Sequence, residues 1–402
     1  MRSVAWCIFS LKNPCLTLKK GNAFFRYGTV NNEQTAHVDY NWGRQELAIL
    51  ASATVSHFSD ARMGKRTQAL DTLWGLRRWK AQTFNNLDSM VINSDPFVQS
   101  QSGYSQLDGL VKVLYQPYNS KTTHLLNLQF STSADIPRYD RLTDFDPARQ
   151  RPRFAEWYYG PQTRFLGSYE FKIDDFNAIL NYQQIEESRY TRRFRQEFLI
   201  GNVEKVDVLG WDFDYGKRLE KHDFRFGIEG QFGRVVSKGF QTNKLTDSIV
   251  PAITRYPDGD NFQLNNSIYL THVWDISPVL TLNDGVRLTN VTQKSTFINK
   301  SFFPFPFDEA KQNVTALAGN VGLVYKPNQN MKLAWLVSTG FRVPNVDDLG
   351  KVFDSNDQQL IVPNPNISAE RTYNFEFNPT VKLGSWLTLE NSFFIHSSKC
   401  YQ

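Results

Sequence analysis

Long stretches of this chain alternate between apolar and polar residues. In QTAHVDYNW, residues 34–42, Ala36, Val38, Tyr40 and Trp42 point one way, and Thr35, His37, Asp39 and Asn41 point the other. A period of two is that of a β-strand with one apolar and one polar face. The pattern recurs over 103–116, where Leu107, Val111, Val113 and Tyr115 oppose Gln106, Asp108 and Lys112. Over 205–217, Leu209, Trp211, Phe213 and Tyr215 oppose Asp212 and Asp214; over 221–235, Phe224, Phe226, Ile228 and Phe232 oppose Asp223, Arg225, Glu229 and Gln231. Residues 313–326 alternate too, with Leu317, Val321, Leu323 and Tyr325 on one side. About fifteen strands are predicted in one all-β domain type, without internal repeats or low-complexity tracts.

The connections carry more information than any one strand. Tight ones are expected at 43–45, 117–120, 174–175, 219–221, 276–277, 327–329 and 384–385. Between them lie long ones at 59–102, 134–161, 189–202, 237–260, 292–312 and 342–369. A soluble sandwich has no reason to gather its long loops at one end. An antiparallel up-and-down transmembrane β-barrel does so, with short turns facing the periplasm and long loops facing outside. A ten-residue strand rises roughly 33 Å, and tilted about 40° it covers the ~25 Å height of the apolar band. Trp42, Tyr115, Tyr215, Trp274, Tyr325 and Trp386 fall near strand ends, as an interfacial aromatic girdle requires.

Composition agrees with this reading. Hydrophobic residues make up 41% of the 402 and aromatic residues 14%, and mean hydropathy is −0.45. No run is apolar enough for a transmembrane helix, whereas alternating barrel strands keep mean hydropathy low. A net charge of +5 on this length selects no nucleic-acid partner. The three cysteines, Cys7, Cys15 and Cys400, sit at the outer edges of the chain and imply neither a disulfide framework nor a metal cluster. Arg2 and the short apolar run 4–9 lack a following small-residue cleavage site, so they make no convincing signal peptide.

Near the end stands STGFRVPNVDDLG, followed by VPNPNISAERTYNFEF. Pro344 lacks an N–H and restricts Val343, so a ladder ends there; Asp347 and Asp348 belong in water. This stretch resembles the barrel of TonB-dependent outer-membrane receptors. That family carries a Gly-Phe-Arg-x-Pro corner, here Gly340, Phe341, Arg342 and Pro344, with Asn345 next. After a loop comes an Asn-Pro-x-Leu-x-x-Glu entry, here Asn364, Pro365 and Glu370, with Ile367 in place of Leu. The motif is expected to shape a loop rather than to bind a ligand. RYDRL (138–142), AEWYYGPQ (155–162) and FFPFPF (302–307) also look like this family.

The resemblance implies an outer-membrane location, a barrel of 22 strands, a plug domain inside it, and energy supplied through TonB. It implies active uptake of a scarce nutrient: an iron–siderophore first, or haem, cobalamin or a glycan. The expected organisation is an atypical segment over 1–21, a partial barrel over 22–396 and an atypical tail over 397–402. The whole is then a truncated portion, about 15 of the 22 strands, without a plug and not transport-competent alone. A plugless passive porin and a soluble β-rich carbohydrate-binding protein are the alternatives.

Chemistry is sparse. The histidines at 37, 57, 124, 222, 272 and 396 show no metal-ligand spacing, and His37 and His222 are expected in the lumen or at a rim. No phosphate loop, dinucleotide fingerprint or nucleophile elbow occurs. No enzyme activity, metal or cofactor is therefore expected. Glu186, Glu187, Asp212, Asp214 and Glu229 are expected in the lumen. Ligand-binding candidates are Arg138, Arg141, Trp157, Tyr158 and Tyr159, which could meet an anionic or aromatic metal–siderophore complex. Packing within the loop is the simpler role for them.

Overall fold

The computed structural model describes residues 12–64, 75–345, 353–356, 359–361 and 369–399. Fourteen long strands follow one another as an antiparallel meander: β1 (Lys19–Gly28), β2 (Glu33–Arg44), β3 (Leu47–Phe58), β4 (Tyr104–Tyr115), β5 (Thr122–Ser133), β6 (Phe154–Ile173), β7 (Phe176–Arg193), β8 (Phe198–Leu219), β9 (His222–Asn243), β10 (Asn261–Ser277), β11 (Leu280–Thr296), β12 (Glu309–Asn328), β13 (Met331–Arg342) and β14 (Glu370–Leu383). A fifteenth is broken into β15 (Leu387–Glu390) and β16 (Phe393–Lys399), both paired with β14. Short loop strands at Ile136–Pro137 and Ile249–Pro251 complete the 18-stranded sheet. Among the described residues, β1 pairs only with β2, and β15 and β16 only with β14, so the barrel wall is open along two edges.

The two faces separate as the alternation predicts. Outward-pointing side chains include Val38, Leu107, Phe130, Phe165, Leu180, Leu209, Ile228, Ile268, Leu288, Leu317 and Val337, all large, apolar and well exposed. On the opposite face Asn41, Lys112, Glu204, Ser267 and Thr289 are buried. A soluble protein inverts this order, because water penalises exposed apolar area; a sheet bathed by acyl chains does not. The girdle residues Trp42, Tyr115, Tyr215, Trp274, Tyr325 and Trp386 all lie beside the short turns.

Most of the short connections hold to within a residue. Gln45, Asp174 and Glu220 supply the left-handed φ of +48°, +47° and +51° that tight hairpins need. The turn expected at 276–277 lies just beyond, because β10 runs to Ser277 through an irregular register at its end. The long connection expected at 189–202 is mostly strand: β7 and β8 pair up to Thr191↔Ile200. β9 likewise reaches Asn243, and β11 and β12 pair up to Thr296↔Glu309. Above the apolar band the ladder continues on backbone hydrogen bonds, with nothing to impose an apolar face. The tail behaves the same way, since Ser397 and Ser398 still pair with Tyr373 and Thr372.

Candidate functional site

On the inner face, a hollow of about 690 Å³ is bordered by Asp212, Glu229, Gln231, Gln263, Asn265 and Arg287. Strand alternation sets these residues side by side: Asp212↔Glu229, Glu229↔Ser267, Ser267↔Thr289. Arg287 hydrogen-bonds Glu229 and donates to Ser267 Oγ at 2.8 Å, while Tyr269 Oη donates to Asp214. Three carboxylates and one guanidinium give a wet, polar wall suited to another polar surface. Phe341 and Val343 of the corner line the same hollow. They reach it because β13 pairs with β12 only up to Ser338 and leaves it above that point.

Of the carboxylates assigned to the lumen, Glu187, Asp212, Asp214 and Glu229 share the inner parity. Glu186 does not. It alternates to the outer face with Leu180 and Tyr182, where Lys205 pairs with it at 2.9 Å, above the apolar band. His37 lies on the inner face, accepting from or donating to Thr54 Oγ1 at 2.8 Å. His222 lies at the short-turn rim, stacked with Trp274 and 2.9 Å from His272.

The corner motif closes on itself. Arg342 and Glu370 are ladder partners, and Nη1 lies 3.4 Å from Oε1. Gly340 faces Thr372 so closely that a Cβ would sit 2.8 Å from Thr372 Oγ1. Pro344 is buried and Asn345 exposed, whereas Asn364, Pro365 and Ile367 lie outside the described residues.

The loop candidates divide into three. Arg138 stacks its guanidinium over Trp157 at 4.5 Å, and Trp157 meets Tyr159 edge-on at 5.0 Å. Arg189 joins them, 5.5 Å from Trp157 and 5.3 Å from Tyr159. Trp157 is buried, so this group packs the loop base. Tyr158 points to the other face and stacks on Tyr190 at 5.0 Å; burial, then the charge of Asp135, pushes its phenol up to about 12. Arg141 stands apart on the short helix Tyr139–Leu142, 3.3 Å from Asp144.

The alternation pattern gave no sign of a buried ion pair in this layer. A hairpin, Trp79–Phe84 with Leu87–Ile92, presents Asp88 to Arg192. Arg192 donates to Asp88 Oδ2 at 2.7 Å and Oδ1 at 2.9 Å, to Glu156 Oε1 at 2.7 Å, to Thr83 Oγ1 at 3.1 Å and to the Gln196 carbonyl at 2.9 Å. Asp88 also accepts from Thr83 Oγ1 and the Arg195 N–H, both at 2.7 Å. Both partners are buried, and their hydrogen-bonding capacity is filled. Burial alone would push the Asp88 carboxyl up, but its bonds to Arg192, Thr83 and Arg195 hold it below the usual carboxylate range. No alternation pattern could have indicated this pair, because its members belong to elements with no common period.

The family model for the TonB dependent receptor-like β-barrel matches residues 92–395. Solved structures share the fold. The copper transporter OprC matches with TM-score 0.67 and 13% identity, over 94% of this chain and 53% of its own. The ferric yersiniabactin uptake receptor FyuA from Yersinia pestis matches with TM-score 0.63 and 14% identity, over 96% and 55%. A double mutant of the Serratia marcescens hemophore receptor HasR, in complex with its hemophore HasA and heme, matches with TM-score 0.64 and 12% identity, over 94% and 54%. The chain therefore spans about half the length of each. No curated protein matches it. With an antiparallel wall, an apolar outside, a polar inside and a family match over most of its length, the chain belongs to the TonB-dependent receptor β-barrel family.

Proposed function

We infer that the chain forms part of the wall of an outer-membrane receptor for active uptake of a scarce nutrient, with an iron–siderophore complex as the first candidate and haem, cobalamin or a glycan behind it. Family relatives described as a copper transporter, a ferric yersiniabactin uptake receptor and a hemophore receptor support this class of cargo. Uptake against a gradient needs a plug in the lumen and TonB to act on it. Both are partners of the whole receptor in this proposal.

The observation that carries the reading is the path of residues 12–18. They run along the inner face: Lys12 pairs with Asp39 at 2.7 Å, Cys15 N–H donates to Asn41 Oδ1 at 2.9 Å, and Lys112 Nζ donates to Asn13 Oδ1 at 2.8 Å. Asn41 is fully buried and also donates to the Cys15 and Leu18 carbonyls at 3.0 and 2.7 Å. Gly43 permits the approach, since a Cβ there would lie 2.1 Å from the Cys15 carbonyl. The chain thus enters β1 from the lumen, as it must if a plug precedes it.

The test is uptake of labelled iron–siderophore, haem and cobalamin by cells that lack the gene and by cells that have it restored, under limitation of each nutrient. Loss of one uptake activity, restored by the gene and abolished by a protonophore that removes TonB energy, is expected. Uptake indifferent to the gene for every cargo defeats the reading. Large unselective conductance of the reconstituted protein would favour the passive porin instead.

A further inference from the structure

The loop layer contains a second hollow, of about 540 Å³, distinct from the inner-face hollow and from the Trp157 cluster. Five arginines line it, at 141, 149, 151, 153 and 193, against two carboxylates, Asp144 and Asp146. The two acids are already engaged: Asp144 by Arg141 at 3.3 Å and Asp146 by Arg149 at 3.4 Å. Among the described residues, no carboxylate pairs with Arg151, Arg153 or Arg193. Five guanidinium groups against two carboxylates leave the hollow with an excess of positive charge, which the reach of Arg153 Nε to the Phe145 carbonyl at 3.5 Å does not neutralise.

The backbone holds these arginines in place. Phe145–Asp146 and Arg151–Pro152 form a small ribbon, and Asp146 Oδ1 accepts the N–H groups of Ala148 and Arg149 at 3.1 and 3.2 Å to turn it. Arg153 N–H donates to the Asp144 carbonyl, and Phe194 N–H to the Arg153 carbonyl, both at 3.0 Å, so the ribbon is fastened to the top of β7. Buried Pro152 and Phe194 make an apolar floor, and Phe194 packs with Ala81 and Ala155. Immediately behind, Arg192 is fixed by Asp88. The fold therefore fixes the backbone that carries the arginines, and the side chains of Arg141, Arg149, Arg153 and Arg193 reach solvent from it.

We propose that this hollow is a binding site for an anion bearing two or more oxyanion groups, phosphate or carboxylate. Guanidinium is the side chain whose planar fork matches such groups with two parallel hydrogen bonds. The three arginines without acidic partners supply the net positive charge. The same chemistry is offered by a soluble polyanion and by the phosphorylated core of outer-leaflet lipopolysaccharide. The site stands whatever cargo the receptor carries.

The probe is inorganic pyrophosphate, titrated calorimetrically into the full chain in detergent. Saturable binding is expected, weakened about tenfold or more in R151A/R193A and by less in R151K/R193K, which keeps the charge and loses the fork. A second measurement needs no variant: pyrophosphate should slow phenylglyoxal modification of Arg151 and Arg193 while leaving exposed Arg218 unaffected. Nanodiscs containing lipopolysaccharide, intact or dephosphorylated, identify the source. Protection by the intact form alone assigns the leaflet, and protection by pyrophosphate without protection by lipopolysaccharide assigns a soluble anion. Modification rates of Arg151 and Arg193 that ignore every anion, or pyrophosphate binding unchanged in R151A/R193A, overturn the proposal.

Discussion

Asp88 and Arg192 are 104 residues apart in sequence and meet through two parallel hydrogen bonds of 2.7 and 2.9 Å, sealed from water by a loop hairpin and the top of the barrel wall. A buried pair of this kind is costly to break from one side, because the remaining charge stays in the low-dielectric interior. R192A is predicted to destabilise the docked hairpin by about 3–5 kcal/mol. Replacing both partners with apolar residues of similar volume should cost much less. Amide hydrogen exchange over 79–92 reads the difference: fast exchange in R192A, and protection largely recovered in D88L/R192M. Equal exchange in the native chain and R192A would show that the pair does not hold the hairpin.

The same pair predicts a pH dependence with a definite sign. The folded Asp88 carboxyl titrates below its unfolded value of about 3.9, and Arg192 stays charged throughout. The contribution is therefore complete above about pH 4 and is lost as the pH falls below that, through the lowered folded value. Hairpin amides should stay protected at pH 5 and open in stronger acid. D88N should be weakly protected at both. Acid opening of D88N that tracks the native chain would assign the effect to other carboxylates.

Leu209 and Gln231 sit at one height on adjacent strands and point to opposite faces, since Leu209 pairs with Phe232 and Gly210 with Gln231. A spin label at position 209 of the assembled receptor should be relaxed by oxygen dissolved in lipid. One at 231 should be relaxed by a water-soluble nickel chelate. Phe213→Arg, midway between outward-facing Asp207 and Lys217, should cost about 2–4 kcal/mol, Leu209→Arg nearer the edge of the band less, and Gln231→Arg on the wet face far less. Water-like accessibility at 209 would remove the basis for placing this wall in a membrane.

What the sequence revealed and what it hid follow from one physical difference. Lipid on one side and water on the other force a strand to alternate, so the stretch from Leu209 to Tyr215 announces both its structure and its faces. Above the membrane that constraint lapses. β7 and β8 continue to Arg193 and from Phe198 with sequence that reads as loop, held by backbone bonds that any side chain allows. The corner motif made the strand ends at Arg342 and Glu370 legible, but not that the two residues pair across one ladder. Arg189 joined Trp157 and Tyr159 unforeseen, because only pairing register brings it there. Glu186 was misplaced to the lumen for the same reason, since a single-residue change of parity turns a side chain from one face to the other.

Gly230 faces Trp211 across the ladder, and a Cβ there would lie 2.3 Å from the indole ring. The ring covers the bare backbone, so G230A must displace it. Overpacking of this kind costs about 1–3 kcal/mol. Folding in detergent micelles, followed through Trp211 fluorescence with the other tryptophans replaced, should show a shifted emission and lower denaturant midpoint. G233A is the control, because its Cβ would meet nothing within 4 Å. Equal midpoints for the two variants would mean that the ring yields freely.

The two open edges make the last prediction. Each residue of β8 is paired on both sides over most of its length, whereas β1 has β2 on one side and, among the described residues, no strand on the other. In the hydrocarbon an unpaired N–H or C=O costs several kcal/mol, so an edge like this cannot face lipid along its whole length. In this chain purified in detergent, amides of 19–28 that point away from β2 should exchange within the dead time, while those of 207–216 stay protected. Under membrane conditions the same edge should find a strand, either wall sequence from outside this chain or a second copy. Cross-linking from a cysteine placed at Ala23 would then capture its partner. Slow exchange along both sides of β1 in the detergent-solubilised monomer would mean that the edge is already covered, and the open wall would have to be redrawn as a closed smaller barrel.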